Sequence, residues 1–592
     1  MVIKMRSKIK ILIVILILIL VSVGLPIHAA VVSMPSINNT SSQPVGNLTS
    51  DTSNYEKAID LKVLGLLNNK PVYFELDRAP TRAEGTAMLI RLLGKEYQVR
   101  QGSYSHPFTD VPSWANNYVG YAYQNGITKG NGNGSFGANE LLSAKQYVTF
   151  VLRSMGYQDN IDFSYDNALA KAREIGLLSD AELSDLLSRP YFLRSDLVAV
   201  SHNALKVKIK GSSRTLAEKL VDIDKAIFRP AAEIMGFYPS EFQKHYGDAV
   251  SFTPRTTANG YVIKNYNDLV RLLTKTLINF SADLELDITG YSGDVAQDYK
   301  EAFSIARTAS EKITGVNDFV KSWKYNCSSR SMQLTLEFRY PKSEYDARRA
   351  RVKAAIDEGR YIVAENISMD MSEFEKEKNL HDYIVNNTRY DYDNYLTDKL
   401  PDYVFEEYGC LVSGYAVCEG YAEGMKLLCD LAGIECLVVT GNAVDSDVTD
   451  GHAWNIVKID GDYYHLDVTN DDPVTNSGTE ILTYSYFNLT DSEMMKAYTW
   501  NREMFPSCSS TKNSYYNKCN MIAESRETFD KVLTDELKKR SSVIELKVTD
   551  YSKNNYSNLS DLIFKTDIVM KYLCIINEDL GIIRIFDIKY FE

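Results

Sequence analysis

The stretch that decides the fold is GYAVCEGYAEG at residues 414–424, which runs on into MKLLCDLAG at 425–433. After Cys418 the small and apolar residues recur at helical spacing, and Gly433 is a natural helix stop. Cys418 is therefore predicted at a helix N-terminus, where the dipole and the free N–H groups favour a thiolate. Gly420 and Gly424 each cost about 1 kcal/mol relative to alanine in a helix. Their presence indicates that another element packs closely against this helix.

A second stretch, GHAWNIVKIDGDYYHLDVT at residues 451–469, predicts a β-hairpin. Asp-Gly between two strand-like runs is a strong signal for a two-residue turn. If Ile459 pairs with Asp462, then His452 and Asp467 are diagonal neighbours on one face, within side-chain reach. A shift of one residue would put them on opposite faces. The geometry of this pair therefore depends on the turn.

A thiol on a helix tip, with His452 and Asp467 on one hairpin face, supplies a nucleophile, a base and a carboxylate that orients the base. The pattern resembles the transglutaminase-like superfamily of papain-like folds, whose motifs are C-x-G-y-A, H-A-W-N and D-x-T-x-D-D-P. They stand here as CEGYA at 418–422, HAWN at 452–455 and DVTNDDP at 467–473. The family often has tryptophan where Asn470 stands.

The resemblance implies an α+β catalytic domain with Cys418, His452 and Asp467 as its triad. Cys418 would attack an amide carbonyl, and the resulting thioester would pass to water or to an amine. Both outcomes occur in the superfamily, and the sequence does not decide between them. Neither a cofactor nor a metal is expected, and the absence of any CxxC pair argues against a structural zinc site.

The N-terminal side repeats itself. TRAE at 81–84 opens a stretch that closes on MLIRLLG at 88–94, and 62 residues later SAKQ at 143–146 precedes FVLRSMG at 150–156. A weaker third copy has LRSD at 193–196 before LVAV. Each copy predicts a pair of short helices that cannot bury its apolar face alone, so the copies should pack together.

Between the first two copies lie FTDV at 108–111, WA at 114–115 and GITKG at 126–130. This order resembles the S-layer homology (SLH) family and implies three repeats over 54–215 that bind an anionic secondary polymer of the Gram-positive cell wall. Arg82 matches the family's T-R-A-E arginine, and Arg194 stands at the equivalent place in the third repeat. A guanidinium suits acidic groups because its donors form a planar fork. The alternative is a plain helical domain with Arg82 as a solvated charge.

The first residues predict export. A basic start precedes an apolar run from Ile11 to Val21, which is shorter than the roughly 20 residues that span a bilayer. We therefore predict a cleaved signal peptide at 1–30, with no stable membrane span afterwards; an uncleaved anchor is the rival. Residues 31–53, rich in Ser, Thr and Asn, predict a flexible tether. The predicted location is secreted, at the cell wall or S-layer.

A second internal repeat flanks the predicted catalytic domain at 343–522. The pattern L-T-x-x-L from Leu273 recurs 260 residues later from Leu533, and S-x-x-L-E-L from Ser281 returns as S-x-x-I-E-L from Ser541. We predict a helical connector and linker at 216–260 and two copies of a small α/β module at 261–342 and 523–592. The sequence gives no indication of what these modules do.

The chain length predicts several domains, because 592 residues are too many for one hydrophobic core. The net charge of −13 argues against nucleic acid as the main partner. The sequence thus predicts an all-α SLH unit, then an α+β papain-like core flanked by two small α/β modules. The predicted function is a wall-anchored peptidase, amidase or crosslinking enzyme acting on surface proteins or wall peptides. The alternative is a non-catalytic surface-layer or adhesion protein that uses this fold as a binding scaffold.

Overall fold

The computed structural model describes residues 51–68, 71, 74–444, 451–473 and 481–592. The predicted signal peptide at 1–30 and nearly all of the predicted tether lie outside these residues. The tether's last residues, 51–53, already belong to the first helix. No helix in the described ranges is both long and apolar enough to cross a membrane.

The N-terminal region is helical. Its elements are α1 (Asp51–Val63), α2 (Arg82–Leu92), α3 (Glu96–Gln101), α4 (Asn116–Gln124), α5 (Ala144–Ser154), α6 (Ala168–Glu174), α7 (Asp180–Ser188), α8 (Arg194–Ala204), α9 (Leu216–Asp222), α10 (Arg229–Ile234) and α11 (Glu241–Tyr246). The repeated motifs start helices because Thr81 and Ser143 form capping boxes on α2 and α5. The third copy has Leu193 at the equivalent position, which carries no side-chain cap, consistent with its weaker sequence match.

A five-stranded sheet follows, in the order β1-β2-β3-β5-β4. Its elements are β1 (Thr256–Thr257), β2 (Gly260–Val262), α12 (Tyr266–Ile278), β3 (Asp283–Asp287), α13 (Val295–Thr314), β4 (Val320–Cys327) and β5 (Ser331–Phe338). The end of the expected linker is thus ordered as a short hairpin on this sheet, with Thr256 paired to Tyr261. The sheet accordingly begins before the predicted boundary at 261.

The central region is α+β. Its elements are α14 (Lys342–Asn366), α15 (Glu373–Asn387), β6 (Arg389–Tyr390), α16 (Tyr392–Leu396), β7 (Tyr415–Ala416), α17 (Cys418–Ala432), β8 (Cys436–Ala443), β9 (Gly451–Ile459), β10 (Asp462–Leu466), β11 (Phe487–Leu489), α18 (Asp491–Met494), β12 (Tyr498–Trp500) and α19 (Tyr515–Lys518). Five antiparallel strands form one sheet in the order β11-β10-β9-β8-β12. Helix α17 packs against β8 and β9 of this sheet and against α14 and α15.

The C-terminal elements are β13 (Ile522–Ala523), α20 (Arg526–Lys538), β14 (Ile544–Val548), α21 (Leu559–Phe564), β15 (Val569–Asn577) and β16 (Ile582–Tyr590). Their sheet order, β13-β14-β16-β15, repeats the order β2-β3-β5-β4 of the first sheet. The parallel pairs Val262↔Asp287 and Ile522↔Lys547 are 260 residues apart at both members. The two sheets therefore share strand order and register, while the domain boundaries stay predictions.

The helical N-terminal region and the central region share one continuous apolar core, although the sequence suggested separate units. Helix α1 packs on both α8 and α14. Arg360 on α14 reaches Asp60 at 2.6 Å and Glu56 at 3.1 Å on α1. This arrangement joins the N-terminal helices to the scaffold that carries Cys418.

Candidate active site

Cys418 is the first residue of α17, as predicted. The preceding Val417 is extended, and the helix ends at Gly433, whose φ of 84° lies in the left-handed region that glycine tolerates. The Cys418 thiol is partly exposed, whereas Cys410 and Cys429 nearby in the fold are buried. Cys418 is therefore the thiol of this helix that a substrate can reach.

The glycines of α17 allow the close packing that the sequence indicated. A Cβ on Gly420 would lie 2.2 Å from the carbonyl oxygen of Val404, and a Cβ on Gly424 would lie 2.6 Å from the sulfur of Cys410. Both distances are far below van der Waals contact. Any larger residue would push the helix, and with it Cys418, away from the segment it rests on.

The hairpin that carries the histidine and the aspartate has the predicted turn. Asp460 and Gly461 have φ values of 52° and 91°, the positive values that a type I′ turn requires. Ile459 pairs with Asp462, and the register holds without a shift up to Asn455 and Leu466, where β10 ends. The predicted register is confirmed over this ladder, and Asp467 directly follows it.

The imidazole of His452 contacts the Asp467 carboxylate, with 2.7 Å between Nε2 and Oδ2. Asp467 is only 1% exposed. Burial alone lowers the pKa of His452, but the charge of Asp467 and their hydrogen bond, with a contribution from Cys418, outweigh it and raise that pKa to about 10. The pair is thus suited to hold a protonated imidazole next to the thiol. Because Nε2 faces the carboxylate, Nδ1 is the ring nitrogen left for Cys418.

Comparison with known proteins agrees with this geometry. Residues 361–468 match the model of the transglutaminase-like superfamily. The chain carries a transglutaminase-like domain. Residues 107–143 match the S-layer homology domain. Both resemblances predicted from the motifs are confirmed, and the chain is multidomain, with a helical N-terminal region ahead of a papain-like fold.

The relatives cover limited parts of the chain. A "Cell surface protein" of Thermoanaerobacter kivui is 34% identical over 25% of this chain and 20% of its own length. A "Kyphoscoliosis peptidase" of Mus musculus is 24% identical over 27% of this chain and 24% of its own. A structure described as "Crystal structure of a TGase" aligns over 32% of this chain and 50% of its own, at 17% identity and a TM-score of 0.19. The chain thus spans a quarter or less of the curated relatives it matches. The SLH domain and the surface-protein relatives support the predicted location at the cell wall or S-layer.

Tyr498 and Asn470 hold His452 in place. The sequence motifs assigned neither of them a role in the site. The ring of Tyr498 on β12 stacks on His452, with centroids 4.5 Å apart and 15° between the planes. The Asn470 side-chain amide donates to Asp467 Oδ2 at 2.6 Å and to the Tyr498 hydroxyl at 2.8 Å. Asn470, noted from sequence only as a departure from the family's tryptophan, therefore links the carboxylate to the stacked ring.

We expect Asn470→Ala to slow the reaction of Cys418 about tenfold, because a hydrogen bond to a charged group contributes roughly 1.5–3 kcal/mol. The measurement is the second-order rate constant for alkylation of Cys418 by iodoacetamide near neutral pH. Asn386→Ala, which changes an exposed asparagine on α15, is the matched control and should react like wild type. Equal rates for both variants would remove Asn470 from the site.

The rest of the D-x-T-x-D-D-P motif anchors the loop that carries Asp467. Asp471 is fully buried; its Oδ1 accepts from the backbone N–H of Tyr486 at 2.9 Å, and its Oδ2 lies 3.3 Å from Nε2 of His381. Asp472 accepts from the Tyr421 hydroxyl on α17 at 2.5 Å. This loop is therefore tied to both α15 and α17. The sequence motifs gave no indication of the contact between His381 and Asp471.

Trp454 contacts a buried cluster formed by His465, Asp491 and Cys508. The polar side-chain atoms of these three residues lie within 4.8 Å of one another. The indole N–H donates to His465 Nδ1 at 2.9 Å, and His465 Nε2 lies 2.9 Å from Asp491. Arg502 pairs with Asp491 at 3.2 Å. Because these polar groups bond to one another, the cluster orients Trp454, and His465 has a structural role.

The two arginines predicted to bind the wall polymer lie at different places. Arg82, at the start of α2, is 5% exposed, and its guanidinium lies 4.9 Å from the Phe136 ring centroid. It is therefore not the solvated charge of the alternative interpretation. Arg194, at the start of α8, donates from Nε to the carbonyl of Phe74 at 2.9 Å. Together with Arg78, Arg194 lines a cavity of about 310 Å³.

Proposed function

We propose that this is a cell-wall-associated enzyme in which Cys418, His452 and Asp467 catalyse acyl transfer from amide bonds of surface proteins or wall peptides. The observation that carries the proposal is the 2.7 Å contact between His452 and Asp467 beside a partly exposed thiol on a helix tip. The electrostatic influence of Cys418 on His452 supports their proximity. A scaffold that only bound partners would not need this combination of groups.

In the proposed reaction the Cys418 sulfur attacks the carbonyl carbon, and its proton resides on His452. The backbone N–H of Cys418, free at the helix start, helps to stabilise the oxyanion. The tetrahedral intermediate collapses as the C–N bond breaks, and His452 gives its proton to the leaving nitrogen. The thioester then passes its acyl group to water or to an amine, while His452 takes a proton from that nucleophile. Asp467 orients the imidazole throughout.

The test is to incubate the full chain with surface-layer protein and with wall peptides, in the presence and absence of a labelled primary amine. Mass spectrometry then distinguishes new carboxyl termini or deamidation from incorporated amine. We expect at least one of these products with wild type and none with His452→Ala. The absence of every product in wild type, across several substrates, would favour the binding scaffold.

We also propose that residues 54–215 form the wall-binding unit, with Arg194 contacting acidic groups of the secondary polymer. Arg82, the other predicted contact, is only 5% exposed, so in this structure it supports the fold of the unit and does not reach the polymer. The SLH match at 107–143 supports this role. The proposed division of the rest is a connector at 216–260, modules at 261–342 and 523–592, and a catalytic domain at 343–522. The repeated strand order of the two sheets supports the pairing of the modules.

We expect Arg194→Gln in the full chain to weaken binding to purified Gram-positive walls about tenfold, since one charge-assisted contact is lost. The full chain is needed because α1 shares its core with the central region. Co-sedimentation with the walls measures the bound fraction. Arg330→Gln, an exposed change in the β4–β5 turn, is the control. Equal binding of both variants, or no sedimentation of wild type, would contradict the assignment.

A further inference from the structure

A cavity of about 470 Å³ lies where the N-terminal helices meet the transglutaminase-like domain. Its walls come from the end of α1, the segment 225–229, the end of α14 and the C-terminal end of α17. The volume falls in the range of small-molecule sites. Because α17 contributes its C-terminal end to the walls, the cavity lies at the end of α17 opposite to Cys418.

The charged side chains that line this cavity are all basic. They are Lys62, Lys225, Arg229 and Lys376, and among the residues that the structure describes no aspartate or glutamate lines it. Lys62 is only 5% exposed. In a chain with a net charge of −13, such a lining concentrates positive potential inside a low-dielectric cleft, which attracts anions.

The four basic side chains differ in how far the negative charge of nearby carboxylates balances their positive charge. Arg229 pairs with Asp222 at 3.2 Å and with Glu241 at 3.3 Å. Lys62 is close enough to Asp370 to influence it electrostatically. In the described part of the chain, neither Lys225 nor Lys376 has an ion-pair partner. Two ammonium groups therefore face the cavity without a carboxylate of their own.

Lys376 is the more informative of these two. Its Nζ donates to the carbonyl of Ala432, at the end of α17, over 3.4 Å. Burial lowers the pKa of Lys376, and Glu373 only partly offsets this effect. A half-buried ammonium loses hydration free energy, and one neutral acceptor replaces only part of it. An anion in the cavity would compensate the charge of Lys376 and offset this loss.

We propose that this cavity binds a small, multiply charged anion bearing phosphate or carboxylate groups. Lys225 and Lys376 hold its charges, and Val63, Val363 and Leu431 contact its uncharged part. Such a ligand touches α1 on one side and α17 on the other, so it ties the N-terminal helices to the transglutaminase-like domain. The site is separate from the thiol chemistry and does not depend on it.

The experiment titrates the full chain with sodium pyrophosphate and, separately, with sodium citrate at constant ionic strength, by isothermal titration calorimetry. The two probes distinguish phosphate from carboxylate recognition. We expect saturable one-to-one binding of at least one probe. The affinity should fall about tenfold in Lys225→Gln and in Lys376→Gln, because each removes a charge-assisted contact. Lys531→Gln, an exposed change on α20, should bind like wild type.

Lys225 is exposed, so its variant should fold even if Lys376→Gln does not, and circular dichroism checks each protein. Loss of binding in Lys225→Gln but not in Lys531→Gln supports the site. Absence of saturable binding of both probes to folded wild type overturns it. Binding that Lys225→Gln leaves unchanged also overturns it.

Discussion

We expect the replacement of Cys418 by alanine to abolish the proposed amide cleavage and amine transfer and to leave the fold intact. In the proposed reaction the sulfur is the atom that forms the thioester, and no other group of the site could replace it. The side chain is small, partly exposed and at a helix tip, and such changes usually alter stability by no more than about 0.5 kcal/mol. Product analysis by mass spectrometry, together with thermal unfolding, measures both effects. We expect no product and a midpoint within about 2 °C of wild type.

The matched control is Cys519→Ala, because Cys519 is an exposed thiol outside the site. It should keep full activity. Activity retained in Cys418→Ala would show that the chemistry lies elsewhere. Equal loss in both variants would point to a general effect of removing thiols rather than to a nucleophile.

We expect the replacement of Asp467 by asparagine to lower the rate of the proposed reaction by up to about four orders of magnitude while keeping the backbone. The wild-type carboxylate raises the pKa of His452 to about 10, so the imidazolium persists into alkaline solution. Without that charge the pKa of His452 falls, and the imidazolium is lost at lower pH as the pH rises. The alkaline limb of the pH–rate profile therefore moves to lower pH. Initial rates of the same amide reaction between about pH 5 and 10 measure both the loss and the shift.

Asp535→Asn, an exposed change on α20, controls for the general loss of one negative charge and should leave the profile in place. A variant Asp467→Asn that is slower but has an unmoved alkaline limb would mean that the carboxylate does not set the protonation of His452. An unchanged rate would exclude Asp467 from the triad.

The local parts of the site could be predicted because each follows from a short stretch of sequence. The Asp460–Gly461 turn fixes the hairpin register, and that register brings His452 to Asp467. The position of Cys418 followed from helical spacing that ends at a glycine. In each case a turn or a helix end, encoded by few residues, determines the geometry.

The parts that could not be predicted depend on contacts between distant segments. Tyr498 reaches His452 because β12 pairs with β8, where Tyr498 lies opposite Ala443. Arg82 is buried because Phe136 and Phe150 from other segments pack on it. Strand β2 is part of the sheet because β3 offers it a parallel edge, and β1 pairs in turn with β2. None of these contacts leaves a periodic signal in its own stretch of sequence.

The central claim is that the helix-tip thiol reacts together with His452. The most direct measurement is peptide-level mass spectrometry of iodoacetamide labelling at about pH 6.5, which follows all thiols of one sample. The account predicts that Cys418 reacts at least about tenfold faster than the exposed thiols Cys327 and Cys519, and that His452→Ala removes this advantage. A Cys418 that reacts no faster than Cys327 and Cys519, or whose rate is unchanged in His452→Ala, would contradict it.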